Sequence, residues 1–217
     1  MPFLFKNRVD AGRDLALSLE SYRGPATLVL GLPRGGVVVA AEVARVLGAQ
    51  LNAIVTRKVG APGNPEYALG AVAEGGVVVL NDREIAEYQI SRAFVDQEVH
   101  HQEEEIQRRV QLYRGGAPLP TMQQRPVLVV DDGVATGYTM LAALRAVKQQ
   151  GAHPVVMATP VIPLASLERL QVECDNAVVL ATPEPFYAVG LFYDDFAQVS
   201  DRDVVRLLKA GKTTRAA

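Results

Sequence analysis

Residues 127–139 read VLVVDDGVATGYT, and this stretch predicts both a strand and a ligand site. The four apolar residues from Val127 to Val130 show no polar alternation, which is typical of a strand covered on both faces in a parallel α/β sheet. Asp131 and Asp132 follow directly at the carboxyl end of that strand. Open α/β sheets bind ligands at this edge, so the two carboxylates are predicted to face a ligand.

The turn after the two acids suits a phosphate group. Gly133, Ala135 and Gly137 are small enough for several backbone N–H groups to converge, and Thr136 and Thr139 add hydroxyl donors where a helix begins. Two carboxylates beside one anion repel it unless they contact sugar hydroxyls or a bridging cation. A phosphorylated sugar together with a divalent metal satisfies all of these demands.

Simpler roles and better-known phosphate-binding loops agree less well with these residues. In the simplest role, the acids end a strand and Thr136 caps a helix, but two adjacent like charges before a small-residue turn favour a ligand site. A nucleotide P-loop needs four residues between its glycines and then a lysine. Here Gly133 and Gly137 enclose three residues and Tyr138 follows. The dinucleotide fingerprint G-x-G-x-x-G follows none of the predicted strands.

The rest of the chain alternates between predicted strands and helices. Strands are expected at 26–32, 51–56, 155–159 and 177–181, and helices at 9–19, 37–47, 137–150, from Pro163, and from Ser200 to Gly211. The fold class is therefore α/β, with a central, mainly parallel sheet flanked by helices, and residues 1–217 are predicted to form a single domain.

Three segments between these elements carry their own predictions. Residues 59–65 are rich in Gly and Pro and are expected to form a loop. The Gly75-Gly76 pair predicts a two-residue hairpin turn within 71–80, which would add an antiparallel edge to the sheet. Residues 82–115 are polar and helical with a thin apolar stripe, which indicates an inserted helical flap or hood.

Composition narrows the functional classes. The chain has 217 residues, 49% of them hydrophobic, and a formal net charge of −2. This balance disfavours nucleic-acid binding, although Arg108 and Arg109 leave a local patch open. One cysteine, Cys174, no membrane-length apolar run and no signal-peptide core near the start predict a cytoplasmic protein without membrane partners.

The 127–139 segment resembles the phosphoribosyl-pyrophosphate (PRPP) motif of the type I phosphoribosyltransferases. The resemblance implies that Asp131 and Asp132 hold the ribose 2- and 3-hydroxyls, directly or through magnesium water. It also implies that the following residues wrap the 5-phosphate: Gly133, Ala135, Thr136, Gly137, Tyr138 and Thr139. The implied cofactor is Mg²⁺, with both aspartates as its ligands.

Basic residues in two upstream loops extend the resemblance to roughly residues 26–160. Arg34-Gly35-Gly36 reads either as a turn into a helix or as a backbone nest with a cation, which matches the family's pyrophosphate loop. Arg57 and Lys58 are expected to end the second strand and to bind the same group. The resemblance implies that Arg34 and Lys58 stabilise the leaving pyrophosphate, beside a 60–67 loop that closes over it.

The acceptor base is not specified by the sequence. Members that act on 6-oxopurines carry an acid where this chain has Ala135, and a lysine in the region where 159–165 offers none. The late segment around Phe186, Tyr193 and Asp194 is either core packing or a hood on which a flat base stacks. His100 and His101 lie four residues before glutamates, a spacing that can hold a metal, but a solvated helix face is favoured.

These observations predict a magnesium-dependent phosphoribosyltransferase that joins a nitrogenous base to C1 of PRPP with release of pyrophosphate. Two alternatives stay open: a regulatory protein that binds PRPP without turnover, and hydrolysis at the same site. The expected partners are small molecules, and the sequence leaves a homodimer open.

Overall fold

The fold is built on two sheets, described here from a computed structural model that covers residues 4–213. A five-stranded parallel sheet has the strand order β2-β1-β6-β7-β8, and a separate antiparallel sheet has the order β3-β4-β5. The strands are β1 (Leu28–Gly31), β2 (Gln50–Ala53), β3 (Thr56–Ala61), β4 (Asn64–Ala73), β5 (Val77–Leu80), β6 (Val127–Val130), β7 (Val155–Val161) and β8 (Asn176–Ala181). The helices are α1 (Arg8–Ser18), α2 (Gly35–Leu47), α3 (Asp82–Glu87), α4 (Arg92–Arg114), α5 (Tyr138–Gln149), α6 (Leu164–Leu170) and α7 (Asp201–Thr213).

The parallel sheet is buried on both faces, as its unbroken apolar strands predict. Alternate residues face opposite layers because successive side chains of a strand point to opposite sides. Val29 packs with α1, α2 and α7 on one face, whereas Leu28 and Leu30 pack with α5 on the other. The α/β fold class is confirmed, and β6 has the bounds that the sequence predicts.

The second sheet corrects two predictions. Residues 59–65 do not form a loop, because most of them belong to the hairpin between β3 and β4. The Gly75-Gly76 turn does form, with both φ angles positive and three loop residues, but its hairpin pairs with β3 and does not add an edge to the parallel sheet. This small sheet instead packs against α5.

The helical segment after β5 is attached to the body of the molecule. Its long helix α4 buries Val95, Ile106, Val110 and Tyr113 in the same core cluster as α2 and α7. The stripe is thin, as the sequence indicates, and most of it is buried, although Leu112 is exposed. One face of α4 therefore packs on the body, while its neighbouring face borders the edge where the ligand site is predicted.

The last helix begins as predicted and ends later. Ser200 and Asp203 form a reciprocal capping arrangement, in which the Asp203 N–H donates to Ser200 Oγ (3.2 Å) and the Ser200 N–H donates to Asp203 Oδ2 (3.1 Å). Gly211 does not end α7, which continues to Thr213. Gly211 instead lies close to Leu51, so the absence of a side chain there permits a close approach to β2.

Candidate functional site

The two acids and the Arg34 loop lie side by side at the carboxyl edge of the parallel sheet. β1 and β6 are neighbours in parallel register, with Gly31 paired to Val130. Each strand then leads into a helix, α2 after β1 and α5 after β6. Two helix N-termini therefore flank Asp131 and Asp132, an arrangement that favours an anionic ligand.

The acidic pair is strongly coupled. Asp131 Oδ1 accepts the Asp132 N–H at 2.9 Å. Burial, together with the neighbouring Asp132 charge, raises the pKa of the Asp131 carboxyl well above its usual range. Two carboxylates this close repel each other, and a cation or a hydroxyl donor beside Asp131 would reduce this cost.

Asp132 is held from both ends of the chain. Its Oδ2 accepts from Arg8 Nε at 2.5 Å, and both side chains are nearly buried. The Arg8 guanidinium also stacks over the Phe196 ring, 3.7 Å from its centroid, while the Tyr193 hydroxyl donates to the Asp132 carbonyl oxygen. The sequence analysis missed this role of Arg8, because the pair spans 124 positions and no local pattern connects the two residues.

Gly35 and Gly36 are required by the close approach of the acids. A Cβ at Gly35 would lie 1.9 Å from Asp132 Oδ2, and one at Gly36 would lie 2.7 Å from Asp131 Oδ1. Any larger residue would push the carboxylates away from the start of α2. The predicted backbone nest at these glycines is thus in contact with the acidic pair, and not separate from it.

The turn after the acids leaves a row of backbone donors unused. The Val134 N–H donates to the Val161 carbonyl oxygen (2.9 Å), but within residues 4–213 the N–H groups of the 135–139 run donate no hydrogen bond. Gly137 has a φ of 78°, in the left-handed region that favours glycine, and it serves as the N-cap of α5. The carbonyl groups point elsewhere, because Ser166 Oγ donates to Ala135 O at 2.7 Å and Arg169 donates to Thr136 O. This geometry can bind a phosphate.

The predicted basic residues come from both sheets. Arg34 precedes α2, as the sequence indicates, and its peptide bond to Pro33 is cis. Arg57 and Lys58 do not end the second strand: β2 ends at Ala53, and both residues lie in β3 of the antiparallel sheet. Arg57 and Lys58 line the same cleft as Asp131 because the two sheets pack together.

A cleft of about 370 Å³ joins these groups. Asp131 and Thr139 line it from the parallel sheet, and Arg57 and Lys58 line it from β3. Its remaining polar lining was missed in the sequence and comes from the β4 end of the hairpin and from α4. These residues are Glu66, Glu98, Gln102 and Arg109. The only sequence signal for the three residues of α4 was the polar character of one face of that helix, which looks the same as a solvated face.

The late aromatic segment forms a small core. Tyr193 is 2% exposed, and its ring packs against Phe5 (5.5 Å between centroids) and Phe196 (5.0 Å). The core-packing alternative therefore describes Tyr193. Phe186 is half-buried with its ring 4.9 Å from that of Phe192, and Asp194 is exposed. This segment packs beside the acidic pair, since Val189 lies over Gly133 and the Tyr193 hydroxyl donates to the Asp132 carbonyl oxygen.

Metal-binding clusters were sought among the described residues. No group of three or more His, Cys, Asp or Glu side chains that could hold an ion is found in residues 4–213. His100 is an exposed residue on α4, 3.6 Å from Glu104, which agrees with a solvated face. No helix among the described residues is long and apolar enough to cross a membrane.

Comparison with known proteins identifies the family. The fold is that of the type I phosphoribosyltransferases, and the chain belongs to the phosphoribosyl transferase family, since the model of the phosphoribosyl transferase domain matches residues 5–184. The crystal structure of TT1426 from Thermus thermophilus has 46% sequence identity and a TM-score of 0.77, over 94% of this chain and 97% of that one.

Curated relatives point to the same family. Two proteins of Mycobacterium tuberculosis, from strains CDC 1551 and H37Rv, are 45% identical over 94% of this chain and carry the name "Putative phosphoribosyl transferase". The chain spans about half the length of these relatives, 46%.

Proposed function

We propose that this chain transfers the 5-phosphoribosyl group of PRPP to a nitrogenous base and releases pyrophosphate. One observation carries the proposal: Asp131 of the acidic pair and Thr139, the last residue of the run of unused backbone N–H groups, line the same cleft as the cations Arg57, Lys58 and Arg109. A phosphorylated sugar that bears a pyrophosphate needs these three kinds of group together. Family membership supports the same class of transferase.

Each part of the substrate has a matching part of the site. The 5-phosphate would be bound by the turn of Gly133 and residues 135–139, and the ribose hydroxyls would donate to Asp131 and Asp132. The pyrophosphate would be bound by the following residues: Arg34, Gly35, Gly36, Arg57 and Lys58. A ligand bound in this way spans from the start of α5 to β3.

The reaction would need little side-chain chemistry. The C1–O bond to pyrophosphate breaks, a nitrogen lone pair of the base forms the new C1–N bond, and the ribose ring carries positive charge between the two events. The protein would hold the ribose, stabilise the charge that grows on the leaving oxygen, and exclude water. Arg34 and Lys58 would take the leaving-group role, and the two acids would take the ribose role.

Of the two aspartates, Asp131 fits the role of a magnesium ligand better than Asp132 does. Mg²⁺ is usually bound by one or two carboxylates together with water and substrate phosphates. Within the described residues Asp131 Oδ2 makes no hydrogen bond, whereas Asp132 Oδ2 is occupied by Arg8. Asp131 would therefore be the main protein ligand and Asp132 the weaker one, and the bound ion would neutralise part of the pyrophosphate charge.

The acceptor base would lie under the late aromatic segment. Phe186 is only half-buried and Asp194 is exposed, so these two residues can contribute a flat surface and a polar edge to a base. Tyr193 would act on the ribose site instead, through its hydrogen bond to the Asp132 carbonyl oxygen.

The test is pyrophosphate release from PRPP and magnesium, measured with and without a panel of bases. A transferase releases pyrophosphate only with an acceptor, hydrolysis releases it without one, and a regulatory binder never releases it.

We expect Lys58→Ala to lower kcat roughly 10²-fold with a smaller effect on PRPP affinity, because negative charge grows on the leaving group in the transition state. An exposed residue of the same hairpin, Asn64, provides the control Asn64→Ala. Release that does not depend on a base, or unchanged kcat in Lys58→Ala, would contradict the proposal.

A further inference from the structure

Two adjacent arginines of α4 share one partner but face different surroundings. Glu105 accepts from Arg108 Nε at 2.7 Å and from Arg109 Nε at 2.8 Å. The Arg108 side chain is 56% exposed, whereas that of Arg109 is 12% exposed and lines the cleft. One carboxylate cannot neutralise two guanidinium groups, so a positive charge is left over beside the cleft.

The arginines around the cleft keep unused donors. Within residues 4–213 the Arg109 guanidinium hydrogen-bonds through Nε alone, and so does Arg57, which donates to Gln102 Oε1 at 2.8 Å. The nearest acid to Arg34 is Asp201, 4.0 Å from its Nη1 and beyond hydrogen-bond distance. The paired terminal nitrogens of an arginine match the oxygens of a phosphate, so these unused donors suit a polyphosphate.

The three guanidinium groups also repel one another. Burial is the main cause that lowers the pKa of Arg57, and the charge of Arg109 lowers it further. Glu105 and Glu98 oppose this effect, and Arg34 adds a smaller lowering. Arg57 therefore lies within the electrostatic reach of two other guanidinium groups at this wall. An anion bound between these groups would relieve the repulsion.

Gln102 connects Arg57 to the body of α4. Its side chain is buried, its Oε1 accepts from Arg57, and its Nε2 donates to Glu98 Oε1 at 2.7 Å. An amide in this orientation satisfies both partners, because Arg57 can only donate and an ionised Glu98 can only accept. Gln102 thereby fixes the Arg57 guanidinium against the cleft wall.

We propose that α4 supplies one wall of the pyrophosphate site, with Arg109 as a direct ligand of the pyrophosphate and Gln102 as the positioning residue for Arg57. This inference rests on the proposed function and deepens it. It assigns to the polar helix a part in recognising a diphosphate, which offers more oxygens to the donors of Arg34, Arg57 and Arg109 than a single phosphate does.

The main experiment compares Arg109→Gln with Arg108→Gln. Both variants remove a charge from the same helix and one ion pair with Glu105, but only the first alters the cleft. Calorimetry with inorganic pyrophosphate, with PRPP and with ribose 5-phosphate, all in magnesium, measures the affinities. We expect Arg109→Gln to weaken pyrophosphate and PRPP binding by roughly 10- to 100-fold and to leave ribose 5-phosphate binding unchanged. Arg108→Gln should stay close to wild type, within about twofold, as expected for an exposed pair.

The outcomes separate this inference from the function on which it rests. Wild-type protein that binds neither PRPP nor pyrophosphate overturns both. Wild-type protein that binds both ligands, with Arg109→Gln unchanged or with equal losses in Arg109→Gln and Arg108→Gln, overturns only the inference. If Arg109→Gln does not fold, Arg109→Lys keeps a charge at the site, and it should bind pyrophosphate more weakly than wild type while ribose 5-phosphate binding is retained.

The role of Gln102 is tested by exchanging its amide group with the carboxyl group of Glu98. Gln102→Met removes the acceptor for Arg57 and should lower pyrophosphate affinity several-fold without affecting ribose 5-phosphate. Combining Gln102→Glu with Glu98→Gln keeps an acceptor for Arg57 and reverses the direction of the hydrogen bond between positions 98 and 102, and it should recover the affinity. A purely structural role predicts lower thermal stability with unchanged pyrophosphate affinity, and that result would overturn the assignment.

Discussion

At the scale of single residues, Asp131 combines a predicted binding role with a cost to the fold. Its carboxyl is buried beside the Asp132 charge, and both effects raise its pKa because they disfavour the ionised form. We expect Asp131→Asn to raise the free energy of unfolding by about 1 kcal/mol, or ~2–4 °C in Tm, because it removes the repulsion and keeps an acceptor for the Asp132 N–H. The same change should weaken PRPP binding by tenfold or more.

Thermal melting measures the expected gain in stability of Asp131→Asn, and calorimetry in magnesium measures its expected loss of PRPP affinity. Asp14→Asn on the exposed face of α1 is the control, and neither its Tm nor its affinity should change by much. A lower Tm in Asp131→Asn would show that the carboxylate stabilises the fold, and unchanged affinity would remove Asp131 from the site.

Arg8, near the start of the chain, is the ion-pair partner of Asp132. Breaking a nearly buried ion pair leaves Asp132 without its partner, so Arg8→Met should lower the free energy of unfolding by on the order of 3 kcal/mol. Adding Asp132→Asn to this variant should cost much less than it does in wild type, because the two residues are coupled. Urea unfolding of the four proteins measures the coupling, with Arg13→Met as the exposed control on the same helix. Additive effects would contradict the pairing.

At the scale of the elements, most of the parallel sheet could be predicted and the small sheet could not. Unbroken apolar runs such as Val127–Val130 identify strands that are covered on both faces. Gly60, Pro62 and Gly63 gave the 59–65 segment the composition of a loop, yet tertiary packing holds it as a hairpin whose tip is exposed. Local patterns also gave no sign that Arg57 belongs to a different sheet from the acids, since long-range packing decides this.

The start of α2 shows how an element is adapted to the site. Alanine normally stabilises a helix by about 1 kcal/mol relative to glycine. At Gly36, however, an added Cβ would lie 2.7 Å from Asp131 Oδ1 and 2.9 Å from Val130 O. We therefore expect Gly36→Ala to destabilise the protein and to weaken PRPP binding by displacing the acidic pair. Equal or higher Tm with unchanged affinity would show that the start of α2 can move away from the acids.

At the scale of the whole molecule, the candidate site exists only where the two sheets meet. The diacid belongs to the parallel sheet, whereas Arg57 and Lys58 belong to the antiparallel one and Arg109 to α4. The sequence predicts Arg57 and Lys58 at the same edge as the acids, but at the end of the wrong strand, and it gives no sign that Arg109 belongs there. The correct grouping depends on how the second sheet and α4 pack, which the pattern along the chain does not encode.

A ligand that bridges the two sheets should stabilise both of them at once. At a PRPP concentration of 100 times Kd the gain is about 2.7 kcal/mol, which corresponds to a rise in Tm of roughly 5–11 °C. Hydrogen exchange should show added protection in residues 133–139 and also in the β3–β4 hairpin and α4, because the pyrophosphate contacts that wall. In Lys58→Ala the protection of 133–139 should persist while that of the hairpin falls, since the 5-phosphate contacts remain and one hairpin contact is lost. Protection confined to 133–139 in the wild-type protein would mean that PRPP binds to the parallel sheet alone, and the cations of the second sheet would then have no part in its recognition.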